Sequence, residues 1–203
     1  GTYRRIAKSG REIWVQAFYN PVCRNGKPYK VVKFATDVTA AKEQAVEDAG
    51  KLDAISRSQA IIEFTPNGEI LTANENFCSA LGYSLDEIVG RHHRIFCRPD
   101  YVATVEYASF WQRLASGKFE ANEFVRVAKD GSEIWIQAAY NPILDSSGRV
   151  TRVVKFATDV TARMSAINQV SVALGALSEG DLTLILDRPF VPTMEELRGN
   201  FNE

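Results

Sequence analysis

The stretch VVKFATDVTA at residues 153–162 decides how the rest of the chain is read, because the same ten letters stand at residues 31–40. Upstream, AKSGREIW at residues 7–14 answers AKDGSEIW at residues 128–135, and Tyr19-Asn20-Pro21 answers Tyr140-Asn141-Pro142. The copies differ by one residue between the prolines and the valines that follow. One module is therefore present twice, the earlier time as its second half alone. Each copy closes on Asp-Val-Thr and passes into a segment of helical composition. A β-unit handing over to a helix at a fixed short motif points to signal transmission rather than catalysis.

Residues 3–7, 12–20 and 31–38 read as strands, rich in isoleucine, tryptophan, valine and phenylalanine. Ser9-Gly10 and Asn25-Gly26 supply the turns, the second tolerating the positive φ values of tight primed hairpins. Residues 119–128, 133–144 and 150–160 repeat the three strands around Asp130-Gly131 and residues 145–148. Two more strands, 60–65 and 69–73, flank Pro66-Asn67-Gly68. Between them and the meander, Phe77, Leu81, Leu85, Ile88 and Val89 recur at helical spacing in bursts broken by Gly82 and Gly90. Ser84 with Glu87 forms a capping box that starts a new short helix. Residues 99–116, carrying Tyr107, Phe110, Trp111 and Leu114, predict one longer helix closed by Gly117. The expected class is α+β: a five-stranded antiparallel sheet with helices on one face, flanked by linker helices.

The organisation expected is a half-module over 1–39, a linker helix over 40–59, a complete module over 60–161, a helix over 162–179 and a connector with the start of another helix over 180–203. The linker stripe Ala41, Ala45, Ala49, Leu52 and Ile55 has helical spacing but little bulk. It suits a solvated connector as well as half of a two-helix seam. Ile167, Val170, Leu174 and Leu177 step like a two-heptad seam, which supports dimerisation alongside other contacts. Thr193 and Glu196 predict a capping box for the last helix. The half-module lacks helical cover for an apolar sheet face and should need a partner surface.

Of 203 residues, 45% are apolar and 24% charged, with a net charge of −1, so neither nucleic acid nor an anionic membrane surface is an expected partner. No apolar run approaches the ~20 residues that span a bilayer, and no signal peptide opens the chain. Cys23, Cys78 and Cys97 make neither a disulfide framework nor a zinc pattern, and a reduced, cytoplasmic setting fits them. The chain opens in mid-module and is expected to be a fragment of something longer. No nucleophile–base order, phosphate loop or paired-carboxylate arrangement is present, so no enzyme is expected.

The order of elements resembles the PAS sensor domain. The match is carried by Asn74 and Phe77, Gly82-Tyr83, Glu87-Ile88, Gly90, the meander, and Asp159-Val160-Thr161, and it covers residues 60–161 fully and 2–39 as a half-domain. GDLT at residues 180–183 with Glu195-Glu196-Leu197 is similar to the connector and second helix of a HAMP unit. Tandem PAS modules feeding such a segment resemble bacterial methyl-accepting chemoreceptors. The resemblance implies a sensor of a small ligand, oxygen or redox state that works as a homodimer through PAS and linker helices. It implies as partners a chemoreceptor signalling domain and a downstream kinase complex. Its alternative is a PAS module that binds no ligand and serves dimerisation or interaction.

In that family the cavity between sheet and helices holds haem, flavin, a metabolite or nothing, which leaves the cofactor unknown. GRHHRIF at residues 90–96 can be set against the photoreceptor pattern G-R-N-C-R-F-L-Q, and His93 stands where the flavin-bonding cysteine would be. That argues against a flavin–cysteine adduct. His92 or His93 could be the axial ligand if haem is bound; adjacent helical positions diverge by about 100°, so at most one faces the pocket. Local hydrogen bonding is the other role open to them. Asn74, Phe96, Trp111 and Trp135 complete the candidate pocket, although large aromatics are more often plain core. Asp37, Thr39, Asp159 and Thr161 are the candidate output residues, with Asp159 or Thr161 expected to cap the following helix.

Overall fold

Alternation of apolar and polar residues lays down two antiparallel sheets at the repeats. The computed structural model describes residues 1–203, which divide into two units, Gly1–Ile55 and Ser56–Glu203. In the first, β1 (Thr2–Ile6), β2 (Glu12–Arg24) and β3 (Lys27–Asp37) form a three-stranded sheet in the order β1-β2-β3, and α1 (Thr39–Ser58) follows. Arg24 pairs with Lys27 directly across Asn25-Gly26, whose φ values of 51° and 74° are those of the predicted primed turn. At Asp130-Gly131 the turn takes another form: Ala128 N–H donates to Ser132 O, Gly131 N–H donates to Ala128 O, and the glycine alone has positive φ. Tyr19 and Val31 on one face of the first sheet, and Phe18 and Phe34 on the other, are exposed.

The second unit runs β4 (Ala60–Phe64), β5 (Ile70–Ala73), α2 (Glu75–Leu81), α3 (Leu85–Ile88), a 3-10 turn (His93–Phe96), α4 (Pro99–Val102), α5 (Val105–Ala115), β6 (Glu120–Val127), β7 (Glu133–Leu144), β8 (Val150–Asp159), α6 (Thr161–Ser178), a second 3-10 turn (Pro192–Met194) and α7 (Glu195–Asn202). Its sheet is antiparallel throughout, in the order β5-β4-β8-β7-β6. Period-two alternation turns Ile62, Phe64, Ile136, Ala138, Tyr140, Val153 and Ala157 to one face. There they meet Phe77, Leu81, Ile88, Phe96, Phe110, Trp111 and Leu114 from the helices in a single core. Each large apolar side chain so buried contributes about 1.5–3 kcal/mol.

The helix predicted over 99–116 is two. Thr104 Oγ1 accepts the Tyr107 amide (3.1 Å) and donates to Tyr101 O (2.7 Å), starting α5 afresh after α4. Ser84 and Glu87 form the predicted box at α3. The box predicted at Thr193 and Glu196 is absent; instead Glu195 accepts the Phe190 amide at 2.7 Å and pairs with Arg198. On α6, Ile167, Leu174 and Leu177 are exposed while Ala166 and Ala173 are buried.

Candidate functional site

His92 precedes the 3-10 turn in extended backbone and His93 is the turn's first residue, so their side chains diverge as adjacent positions must. His93 is fully buried. Phe64, Phe96, Tyr107, Phe110, Trp111 and Tyr140 all make ring contacts with it. Its Nε2 lies 3.0 Å from Tyr140 Oη on β7 and its Nδ1 lies 3.1 Å from Tyr107 Oη on α5.

Arg126 Nη2 donates to Tyr140 Oη at 3.0 Å. The Tyr140 and Tyr107 hydroxyls hold the two nitrogens of the neutral His93 ring, one of which donates and the other accepts. Tyr107 Oη stands 3.4 Å from Nδ1 of the half-buried His92, which also accepts the Arg94 amide at 3.2 Å. A buried polar chain thus joins two strands of the sheet to the helices that cover it. Burial holds the His93 imidazole well below its ordinary value of 6.5, with the Arg126 and Lys155 charges adding to the effect. Burial also pushes the Tyr140 hydroxyl up to about 12. Tyr140→Phe should cost about 1–3 kcal/mol in urea denaturation, because it strands Arg126 Nη2 and His93 Nε2 in the core.

Haem would need a free imidazole nitrogen and space for the macrocycle. Both His93 nitrogens are engaged and six aromatic rings close on the imidazole, so the residues present do not fit a haem on His93. His92 gives no better seat: a Cβ placed on Gly68, at φ +88°, would lie 2.9 Å from His92 Nε2 and 2.7 Å from the Trp111 ring, so this corner is already filled. Cys97 Sγ lies 3.6 Å from His93 Nδ1, and burial raises its pKa, keeping it a thiol.

The structure brings His92, His93, Phe96 and Trp111 together and leaves two candidates apart. Asn74 caps α2, accepting the Phe77 and Ile61 amides at 3.0 and 2.9 Å and donating to Gln59 O at 2.8 Å. Trp135 is turned to the opposite face of β7 from Tyr140. Arg126, Lys155, Tyr107 and Tyr140 were not singled out by the sequence reasoning. The available signal was parity: Lys155 shares its strand face with Val153 and Ala157, and Arg126 with Phe124.

The output residues form the same stitch twice. Trp135 N–H donates to Thr161 Oγ1 (2.9 Å), Val160 N–H to Trp135 O (2.8 Å) and Thr161 N–H to Asp159 Oδ1 (2.8 Å). In the first unit Trp14 N–H donates to Thr39 Oγ1 (2.8 Å), Val38 N–H to Trp14 O (2.8 Å) and Thr39 N–H to Asp37 Oδ1 (2.9 Å). The Thr39 hydroxyl and amide lower the Asp37 pKa. The threonine expected to cap its own helix instead binds that helix to the neighbouring strand. Arg163 in the first turn of α6 also pairs with Glu123 of β6.

A family model described as the PAS fold matches residues 70–157. Biofilm dispersion protein BdlA of Pseudomonas aeruginosa is 44% identical over 165 residues, which are 81% of this chain and 40% of that protein. The bacterioopsin transcriptional activator of Halobacterium salinarum is 33% identical over 125 residues, 62% of this chain and 18% of the relative. The oxygen sensor protein DosP of Escherichia coli is 26% identical over 157 residues, 76% and 19% respectively. The chain therefore spans 40% or less of the length of these relatives. No helix is long and apolar enough to cross a membrane.

Proposed function

Because this chain contains a PAS domain, we propose that it is the sensory part of a bacterial chemoreceptor-like signalling protein, in which the state of the core in Ser56–Glu203 is passed to α6. The observation that carries this is the stitch at Trp135, Asp159 and Thr161. Tyr140, in the buried chain, and Trp135, whose backbone holds Thr161, lie on the same strand β7, so a shift in that strand reaches the first turn of α6 without an intermediary. In this reading Gly1–Thr39 is the closing half of a preceding PAS domain, since it repeats the same three strands and the same stitch. The segment after α6 would be the start of a HAMP-like unit. The setting proposed is cytoplasmic, with a downstream kinase complex as the eventual target.

Two copies would pair through the exposed seam of α6. Leu174→Glu together with Ile167→Glu should convert a dimer to a monomer in light scattering, because two charges facing across a two-heptad seam outweigh its small apolar area. A mass that does not change places the dimer contact elsewhere. The second reading, an interaction module without a ligand, is favoured by the density of aromatic packing around His93. It retains the route through β7 and dispenses with a stimulus inside the core.

A further inference from the structure

Two basic side chains are buried in the core of Ser56–Glu203 with no acid beside them, and burial holds the Lys155 amine well below its ordinary value. Lys155 on β8 is fully buried, Arg126 on β6 is 2% exposed, and both Lys155 Nζ and Arg126 Nε lack a hydrogen-bond partner. The remaining guanidinium nitrogens are used, Nη1 donating to Val125 O at 2.7 Å and Nη2 to Tyr140 Oη at 3.0 Å. The ionisable groups that face Lys155 are Arg126, Cys97 and His93, and those that face Arg126 are Tyr140, Cys97, Tyr101 and His93. None is a carboxylate. The Phe77 and Tyr140 rings lie 5.3 and 5.1 Å from Lys155 Nζ, and at that range they replace little of the hydration that its charged form loses.

We propose that this interior binds a small monocarboxylate with an apolar body, its two oxygens taken by Lys155 Nζ and Arg126 Nε. The class follows from the donors and the walls. One ammonium and one free guanidinium N–H match the two oxygens of a carboxylate and leave a phosphate under-bound, while Phe77, Phe96 and Phe110 offer only apolar contact to the rest of the molecule. Arg126 also lines a cleft of about 330 Å³ with Arg98, Tyr101, Phe124 and Trp135 and with the acids Asp100, Glu106 and Glu123, so a monoanion entering there meets two arginines and three carboxylates. The first unit supplies an independent copy of the arrangement: Lys33 stands 5.5 Å over Tyr19, and Arg5 stands 5.1 Å over Tyr3, as Arg126 stands 4.7 Å over Phe124. There the two basic residues are exposed; in the second unit they are buried, and there the lack of a paired acid matters.

The assignment deepens the sensory reading above and rests on it for its purpose, though not for its chemistry. Its test is calorimetry of the whole chain with benzoate and with benzamide, which has the same shape without the charge. Benzoate should bind at millimolar concentration or better and raise the melting temperature, and benzamide should do neither. Lys155→Met, which exchanges a buried ion for an apolar chain of similar length, should fold and lose about tenfold or more in benzoate affinity. The wild-type contrast decides the matter should that variant fail to fold. No binding of benzoate, equal binding of the two compounds, or benzoate affinity unchanged in Lys155→Met would each overturn the proposal. Binding that leaves α6 unmoved would keep the site and remove the sensory role. An α6 that answers other changes in the core while benzoate does not bind would do the reverse.

Discussion

Phe64→Ala should destabilise Ser56–Glu203 by about 3–5 kcal/mol, the upper range for truncating a buried aromatic. Phe64 is fully buried in β4 and makes ring contacts with His93 and Trp111 at 5.4 Å and with Tyr140 at 6.3 Å. Removing it opens a void between sheet and helices at the point where the polar chain crosses, and the packed neighbours can collapse only partly into the space. Phe64→Leu, which keeps most of the apolar volume, should lose less. Urea denaturation followed by circular dichroism measures both. A loss below about 1 kcal/mol for the alanine variant would mean that this part of the core relaxes freely.

Acid should unfold the second unit earlier than its carboxylates alone require. The groups facing His93 are Tyr107, Tyr140, Cys97, Arg126, Lys155 and His92, and none of them favours an imidazolium. The folded state therefore keeps His93 neutral, while the unfolded chain takes up a proton below pH 6.5. The unfolded state then binds more protons, so stability falls as pH drops, by up to about 1.4 kcal/mol per pH unit. The half-buried His92, lowered by burial and by Arg94, adds a smaller contribution of the same sign. Between pH 6.5 and about 4.3, where carboxylates begin to titrate, the histidines set the slope together with Lys155, whose amine burial also lowers. His93→Gln keeps hydrogen-bonding capacity and should flatten that slope; an unchanged slope would assign it to other groups.

The sheet was readable because its signals agree at several levels. The meander is written twice, Asn25-Gly26 can do little but turn, and Ser84 with Glu87 can do little but start a helix. Phe77, Leu81, Ile88 and Leu114 were legible as interior from spacing and bulk, whereas Leu85 and Val89 of the same periodic run are exposed. The site was legible in part. Adjacent histidines cannot be ranked by periodicity, and only the ring wall from α5, β4 and β7 decides that His93 is the inward one. Lys155 and Arg126 were passed over because charge outweighs parity in any pattern read one strand at a time. Thr161 looked like a helix cap because the motif is local in sequence, whereas its partner is the Trp135 amide on the neighbouring strand. The break at Thr104 was hidden because threonine is tolerated within helices, and only its bonds to Tyr107 and Tyr101 mark a boundary.

The central claim is that the core moves α6 through the stitch at Trp135, Asp159 and Thr161. Its most direct test places a spin label on Val172, on the helix face opposite the Ile167–Leu177 seam, with Cys23 and Cys78 replaced by serine. Inter-subunit distances are then compared in a double-mutant cycle of Tyr140→Phe and Thr161→Val. Losing the threonine contact costs about 1 kcal/mol, too little to unfold the sheet. The account predicts that Tyr140→Phe shifts the distance distribution when Thr161 is present and adds nothing once Thr161 is valine. The same shift in both backgrounds, or no shift in either, would contradict it.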